Sequence, residues 1–204
     1  MKMPDHKTPF ASRRLEAVFS SCFRICENTV LMGGADEPFY APAERQDELH
    51  RLYYREDYFA SALHEIAHWC IAGPERRKLP DFGYWYAPEG RSEQQQQAFL
   101  AVEAKPQALE WYLSHACGFA FQPSLDDFSS RDAAQQRNAF MDKVYEESRA
   151  LHARGLPSRA ATFADALAVE FSTDFCSTCL PMLWQPEPEP VSLSMAKTAR
   201  VSVR

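Results

Sequence analysis

The nine residues ALHEIAHWC, Ala62 to Cys70, constrain this chain more than any other stretch. Two histidines stand four apart, with a glutamate directly after the first. From Tyr58 to Ala72, Glu65 is the only formally charged side chain, and Phe59, Leu63, Ile66, Cys70 and Ile71 leave almost no polar face. A helix that is apolar all round belongs in a core. Burying two imidazoles and a carboxylate without partners costs several kcal/mol, so these groups need a compensating ligand. On an α-helix, positions four apart lie about 40° apart around the axis and one turn along it. His64 and His68 can therefore aim two nitrogens at one point, and Glu65 projects about 100° from His64, beside that point. This is the His-Glu-x-x-His arrangement: two metal ligands and a carboxylate placed to handle a proton.

A third ligand is expected on a later helix. The stretch AFLAVEAKPQALEWYLSHACGF reads as helical, with an apolar stripe at Phe99, Val102, Pro106, Leu109 and Leu113. Glu103 falls inside that stripe, where a carboxylate is out of place unless paired. Glu110, two turns on, is the second candidate. Two histidines and one carboxylate leave coordination positions open. Zinc held this way activates water for hydrolysis, whereas ferrous iron held by two histidines and a carboxylate is the facial triad of oxygenases. The spacing does not choose between a zinc metallopeptidase and an iron oxygenase. A non-catalytic binding protein stabilised by metal is a third reading, and open coordination disfavours it, because structural zinc sites usually have four protein ligands.

The remaining chain frames this helix. It has 204 residues, 46% of them hydrophobic, enough for one domain with its own core. Twenty-two basic against 28 acidic residues, a net charge of -6, argue against a dominant phosphate-binding surface, so no direct nucleic-acid contact is expected. No apolar run is long enough for a membrane span, and MKMPDHKTPFASRR lacks the apolar segment of an export signal. The six cysteines then read as thiols of a cytoplasmic protein. Cys176 and Cys179 have redox or zinc-ligand spacing, but no second pair of that kind accompanies them.

Periodicity predicts a helix from Ser12, with Ser12 as its cap, then a small antiparallel sheet over residues 29–56. The metal helix is expected from about Asp57, as cap, to Ala72, stopped by Gly73-Pro74. A long helical stretch to about Cys117 follows, kinked or divided at Pro106. One more helix ends at Gly155, and a last one follows with Ser158 as its cap. The fold class is thus α+β: a mostly helical single domain over residues 12–180, with a small N-terminal antiparallel sheet and a zincin-like metal helix. Residues 1–11 form a flexible arm, and the Pro-Glu-rich residues 181–204 a disordered tail.

The wider text is more specific than the motif. FASALHEIAHWCIAG, then RR, DFGYWYAPEGR and QAFLAVEAKPQALEW, resembles the elongation factor P hydroxylase family of bacteria over roughly residues 50–125, and more loosely on either side. The resemblance implies hydroxylation of a lysine of translation elongation factor P that already carries a β-lysyl group, with dioxygen as co-reactant. It implies His64, His68 and Glu103 as the metal triad. The metal is expected to be Fe(II), with zinc or another divalent ion able to occupy the site. Glu65 is then a candidate catalytic acid–base group beside the metal. The DFGYWY loop follows the metal helix closely enough to wall the site. Aromatic faces and a carboxylate suit a long cationic side chain, so Asp81, Tyr84 and Tyr86 are candidate substrate-binding residues.

Overall fold

The computed structural model describes residues 9–83, 93–124 and 133–183. Helix α1 (Ser12–Phe23) leads into strands β1 (Thr29–Ala35), β2 (Phe39–Ala41) and β3 (His50–Arg55). Helices α2 (Phe59–Ile71), α3 (Glu93–Cys117), α4 (Ala133–Arg154) and α5 (Ser158–Phe171) follow, with short 3-10 turns at Arg76–Lys78 and Pro80–Gly83. The mostly helical α+β class is therefore observed. No described helix is long and apolar enough to cross a membrane.

The sheet corrects one expectation. It is mixed rather than antiparallel, in the order β1-β3-β2: β3 runs parallel to β1 and antiparallel to β2. The alternation in HRLYYR sets which side chains point inward, with Leu52 and Tyr54 buried, but alternation has the same period for either strand direction. β3 enters between its two predecessors, so β1 and β2 are separated although only residues 36–38 connect them. The Gly33-Gly34 pair does not divide β1. It makes a bulge, where the register to β3 shifts between Met32 and Ala35. A Cβ at Gly33 would strike the Tyr54 hydroxyl and the Glu56 carbonyl. Glycine lets these strands approach there, and the Gly33 N–H and the Tyr54 hydroxyl both donate to Glu16 Oε1 of α1.

The expected side-chain caps are also displaced. Ser12 and Ser158 are the first helical residues rather than caps, and α2 begins after Tyr58, leaving Asp57 outside it. α3 runs through Pro106 as one element. Proline leaves the Val102 carbonyl without its helical donor, and Val102 is one of the more exposed residues of α3.

α2 is the central element. It packs on α1, β3, α3 and α5, and Phe59, Leu63, Ile66 and Trp69 are buried. Trp69 meets Phe19 and Phe23 with ring centroids 5.0 and 4.8 Å away. The C-terminus of α2 is closed from a distance. Arg159 of α5 lies over the Trp69 ring at 4.6 Å and donates to the carbonyls of Trp69, Cys70 and Ala72. These are orphan acceptors of a helix end, and a cation suits the negative end of the helix dipole. Arg77 pairs with Glu27 at 2.6 Å beside it, so the turn Arg76–Lys78 that follows α2 is tied to the loop after α1.

Part of both expected termini is described. Phe10 packs against Phe59, Phe119 and Phe171. At the other end the Pro181 carbonyl accepts from the Tyr112 hydroxyl, and Leu183 is buried. Residues 1–8 and 184–204 lie outside the described residues.

Replacing Arg159 by Leu should lower the unfolding free energy by about 2–4 kcal/mol, since hydrogen bonds from a charged donor to buried carbonyls are worth about 1.5–3 kcal/mol each and do not add fully. Arg159→Lys should recover less than half of that loss, because an ammonium lacks the planar fork. Urea titration checks both, and wild-type stability in Arg159→Leu would contradict this account of the helix end.

Candidate metal centre

The polar face that α2 does keep is His64, Glu65 and His68, all partly buried. It meets α3, whose buried polar groups Glu103, Gln107 and Glu110 follow one another at helical spacing. Glu103 and Glu110 stand seven apart, nearly in line along the axis. The stripe expected on α3 is thus corrected. Val102 is 41% exposed, and the face toward α2 carries the carboxylates.

Three groups converge. His64 Nε2 and His68 Nε2 are 3.1 Å apart, and Glu103 Oε2 lies 3.4 and 3.3 Å from them. Among the described residues these three could hold a metal ion, with donor atoms all within 4.8 Å of one another. Bonds of about 2.1 Å to one ion, meeting at tetrahedral or right angles, require donors about 3.0–3.4 Å apart, so the observed separations suit a bound ion.

Glu110 decides the chemistry of this cluster. Its Oε2 lies 2.9 Å from His64 Nδ1. A carboxylate only accepts, so Nδ1 carries a proton, and Nε2, facing the centre, offers a lone pair to a bound ion or holds a second proton in its place. That nitrogen faces a second imidazole nitrogen and the carboxylate of Glu103. A cation satisfies such a set of acceptors, and a carboxylate behind the histidine is the usual way a metal-binding imidazole is oriented. Glu110 had been the second candidate for the third ligand. In the structure Glu103 joins the group that could hold an ion, and Glu110 stands behind His64. The seven-residue spacing of the two carboxylates was the available sequence signal, but it did not say which would face the histidine from behind.

The electrostatics agree with a site that wants positive charge. Burial disfavours a charged His64, yet the hydrogen bonds to Glu103 and Glu110 outweigh it and hold the imidazole well above its ordinary range. Burial likewise opposes a charged Glu103, but hydrogen bonds from both histidines hold its carboxyl well below the carboxylate range. Glu65 behaves differently. Burial pushes its carboxyl up, the histidines offset part of the rise, and the charges of Glu103 and Asp81 add to it.

A profile of the elongation factor P hydroxylase family matches residues 18–179. The chain belongs to the elongation factor P hydroxylase family. A relative from Haemophilus influenzae, described as elongation factor P lysine hydroxylase, is 47% identical over 158 residues, covering 78% of this chain and 88% of the relative. The family match takes in every element of the described fold, α1 in part.

Among the other expected site residues, Asp81 lies near enough to Glu65 to raise its carboxyl. It stands in the left-handed region with Phe82, and its Oδ1 accepts from the Tyr40 N–H at 2.8 Å. Phe82 stacks on Tyr40, so this turn is docked on β2. Tyr84 and Tyr86 lie outside the described residues. A cleft of about 260 Å³ reaches His68 past Ile71, Val102, Lys105, Pro106 and Glu147, giving the site an approach between α2, α3 and α4.

Glu110→Leu should weaken binding of a divalent ion about 10–100-fold, and Glu110→Gln less, since an amide oxygen still accepts from Nδ1. Competition with a chromophoric chelator measures this, and unchanged affinity in Glu110→Leu would remove the orienting role. Chelation should also lower the Tm of the wild type, with recovery on adding back the ion. His64→Ala should show no such response.

Proposed function

We propose that this protein is an iron-dependent, dioxygen-using enzyme that hydroxylates the β-lysylated lysine of elongation factor P. The observation that carries the reading is the convergence of His64, His68 and Glu103 in a chain of the elongation factor P hydroxylase family. A ferrous ion on two imidazoles and a carboxylate supplies the binding and activation of dioxygen. The remaining tasks belong to the chain. Glu110 keeps the His64 ring in one tautomer. Glu65, with its carboxyl raised beside the centre, holds a proton or pairs with a substrate ammonium. Asp81, Tyr84 and Tyr86 are the residues assigned to binding the long cationic side chain, and the cleft beside His68 gives such a chain a route to the metal. The relative's name, a lysine hydroxylase of elongation factor P, supports the substrate and the reaction type.

The same helix in a zinc peptidase would use Glu65 to activate water, so one experiment separates the two chemistries. β-Lysylated elongation factor P is incubated with the protein, ferrous iron and a reductant, with and without oxygen, and its intact mass is read. The expected result is a gain of one oxygen atom in air only, abolished in His64→Ala and Glu103→Ala. Cleavage of a peptide on adding zinc, with no mass gain under any metal, would sink the hydroxylase reading.

Glu65→Gln is expected to keep metal affinity within a few-fold of wild type and to lose about 100-fold or more in turnover, the usual range for an acid–base group. Full-rate turnover in this variant would show that Glu65 handles no proton and no ammonium.

A further inference from the structure

Six thiols are free, and their surroundings divide them. Cys70 and Cys117 are buried, and burial pushes their thiols up to about 12 and about 11. Burial also raises Cys22. A buried, protonated thiol is inert toward exchange. Cys176 and Cys179 are both exposed and lie in one turn, Cys-Ser-Thr-Cys, after α5. The Cys179 N–H donates to the Cys176 carbonyl at 3.1 Å. Such a turn keeps the first and fourth Cα within about 7 Å, close to the 4.4–6.8 Å span of disulfides.

The turn is also held from outside. The Ser177 N–H and hydroxyl both donate to Asp165 of α5, at 2.8 and 2.6 Å. The Thr173 hydroxyl donates to the Ala116 carbonyl at the end of α3, and the Tyr112 hydroxyl to that of Pro181. The two thiols therefore stand on a backbone that is tied on both sides. Thr178 Oγ1 lies 3.1 Å from Cys176 Sγ, where a hydroxyl can stabilise a thiolate. This contact, the largest influence on it, brings the Cys176 thiol below its ordinary value, and Asp165 opposes that only in part.

We propose that Cys176 and Cys179 form a thiol–disulfide exchange site on the surface of this protein, with Cys176 as the attacking thiol and Cys179 as the resolving one. Its ligands are small disulfides and thiols. The Cys176 thiolate, having given its proton to solvent, attacks one sulfur of a small disulfide RSSR. That bond breaks, RS⁻ leaves, and a mixed disulfide remains on Cys176. Cys179 then loses its proton, attacks Cys176 Sγ and expels the second thiol. The dithiol has lost two electrons and two protons, RSSR has become two RSH, and a dithiol reductant reverses the exchange. Neither cysteine belongs to the described group that could hold an ion.

The test uses the full-length protein with glutathione disulfide, anaerobically, followed by alkylation and peptide mass spectrometry. The expected product is an internal disulfide, a loss of two hydrogens, in the peptide bearing Cys176 and Cys179, with Cys70 and Cys117 still alkylatable after unfolding. Cys179→Ser should accumulate one glutathione on Cys176. Cys176→Ser should react at least about 10-fold more slowly at Cys179, and Thr178→Val should slow the first step several-fold, as expected if thiolate fraction limits the rate. Circular dichroism identical to wild type keeps these comparisons free of folding effects. Mixed disulfides without ring closure, or equal rates at Cys26, Cys176 and Cys179, would overturn the proposal.

Discussion

Acceptor groups brought together between two packed helices have to be compensated, and much of this fold is arranged around that demand. His64 Nε2, His68 Nε2 and Glu103 Oε2 point at one another across the α2–α3 contact. In water each would be solvated. Here they are largely withdrawn from water, so a cation, or shared protons in its place, must supply what water would. Glu110 sharpens the demand by claiming the Nδ1 proton of His64. Seen this way, the two carboxylates of α3 have opposite tasks. One joins the two imidazoles in the group that could hold an ion, and the other accepts from the far side of His64.

Such a site is only as exact as the elements that carry it. α2 is held along its length by aromatic packing on α1 and at its C-terminus by Arg159. α3 passes the site without dividing at Pro106, so Glu103 and Glu110 keep a fixed separation on one helix. The small sheet supports α2 through β3 and anchors the turn that carries Asp81 through Tyr40. Ligands on helices that pack in a common core move less than ligands on loops. The same scaffold leaves one side open, where the cleft meets His68.

Much of this was legible in the residues. The apolar surroundings of His64 and His68 demanded a partner, and helical geometry put both on one face. The misplaced charge of Glu103 identified the partner helix, although the reason was imperfect: Val102 is well exposed, and the face that carries Glu103 is polar rather than apolar. The direction of β3 was not legible, because side-chain alternation has the same period in parallel and antiparallel strands. The caps were misplaced by a residue because Ser12, Asp57 and Ser158 make no side-chain cap, and α2 and α5 are held by tertiary contacts instead.

What the sequence by itself determined is local and periodic: which stretches are helical, which face of each is apolar, and which polar residues break those faces. Helix periodicity settles that His64 and His68 share a face, whatever packs against them. Only the tertiary structure decided which carboxylate joins the two imidazoles and which stands behind His64. Glu103 and Glu110 are chemically identical and nearly in line on α3, and their roles depend on how far along α2 that helix sits. A shift of about two turns, roughly 10 Å along the axis, would exchange the places of the two carboxylates. That offset comes from the packing of whole helices, and no short stretch of the chain encodes it.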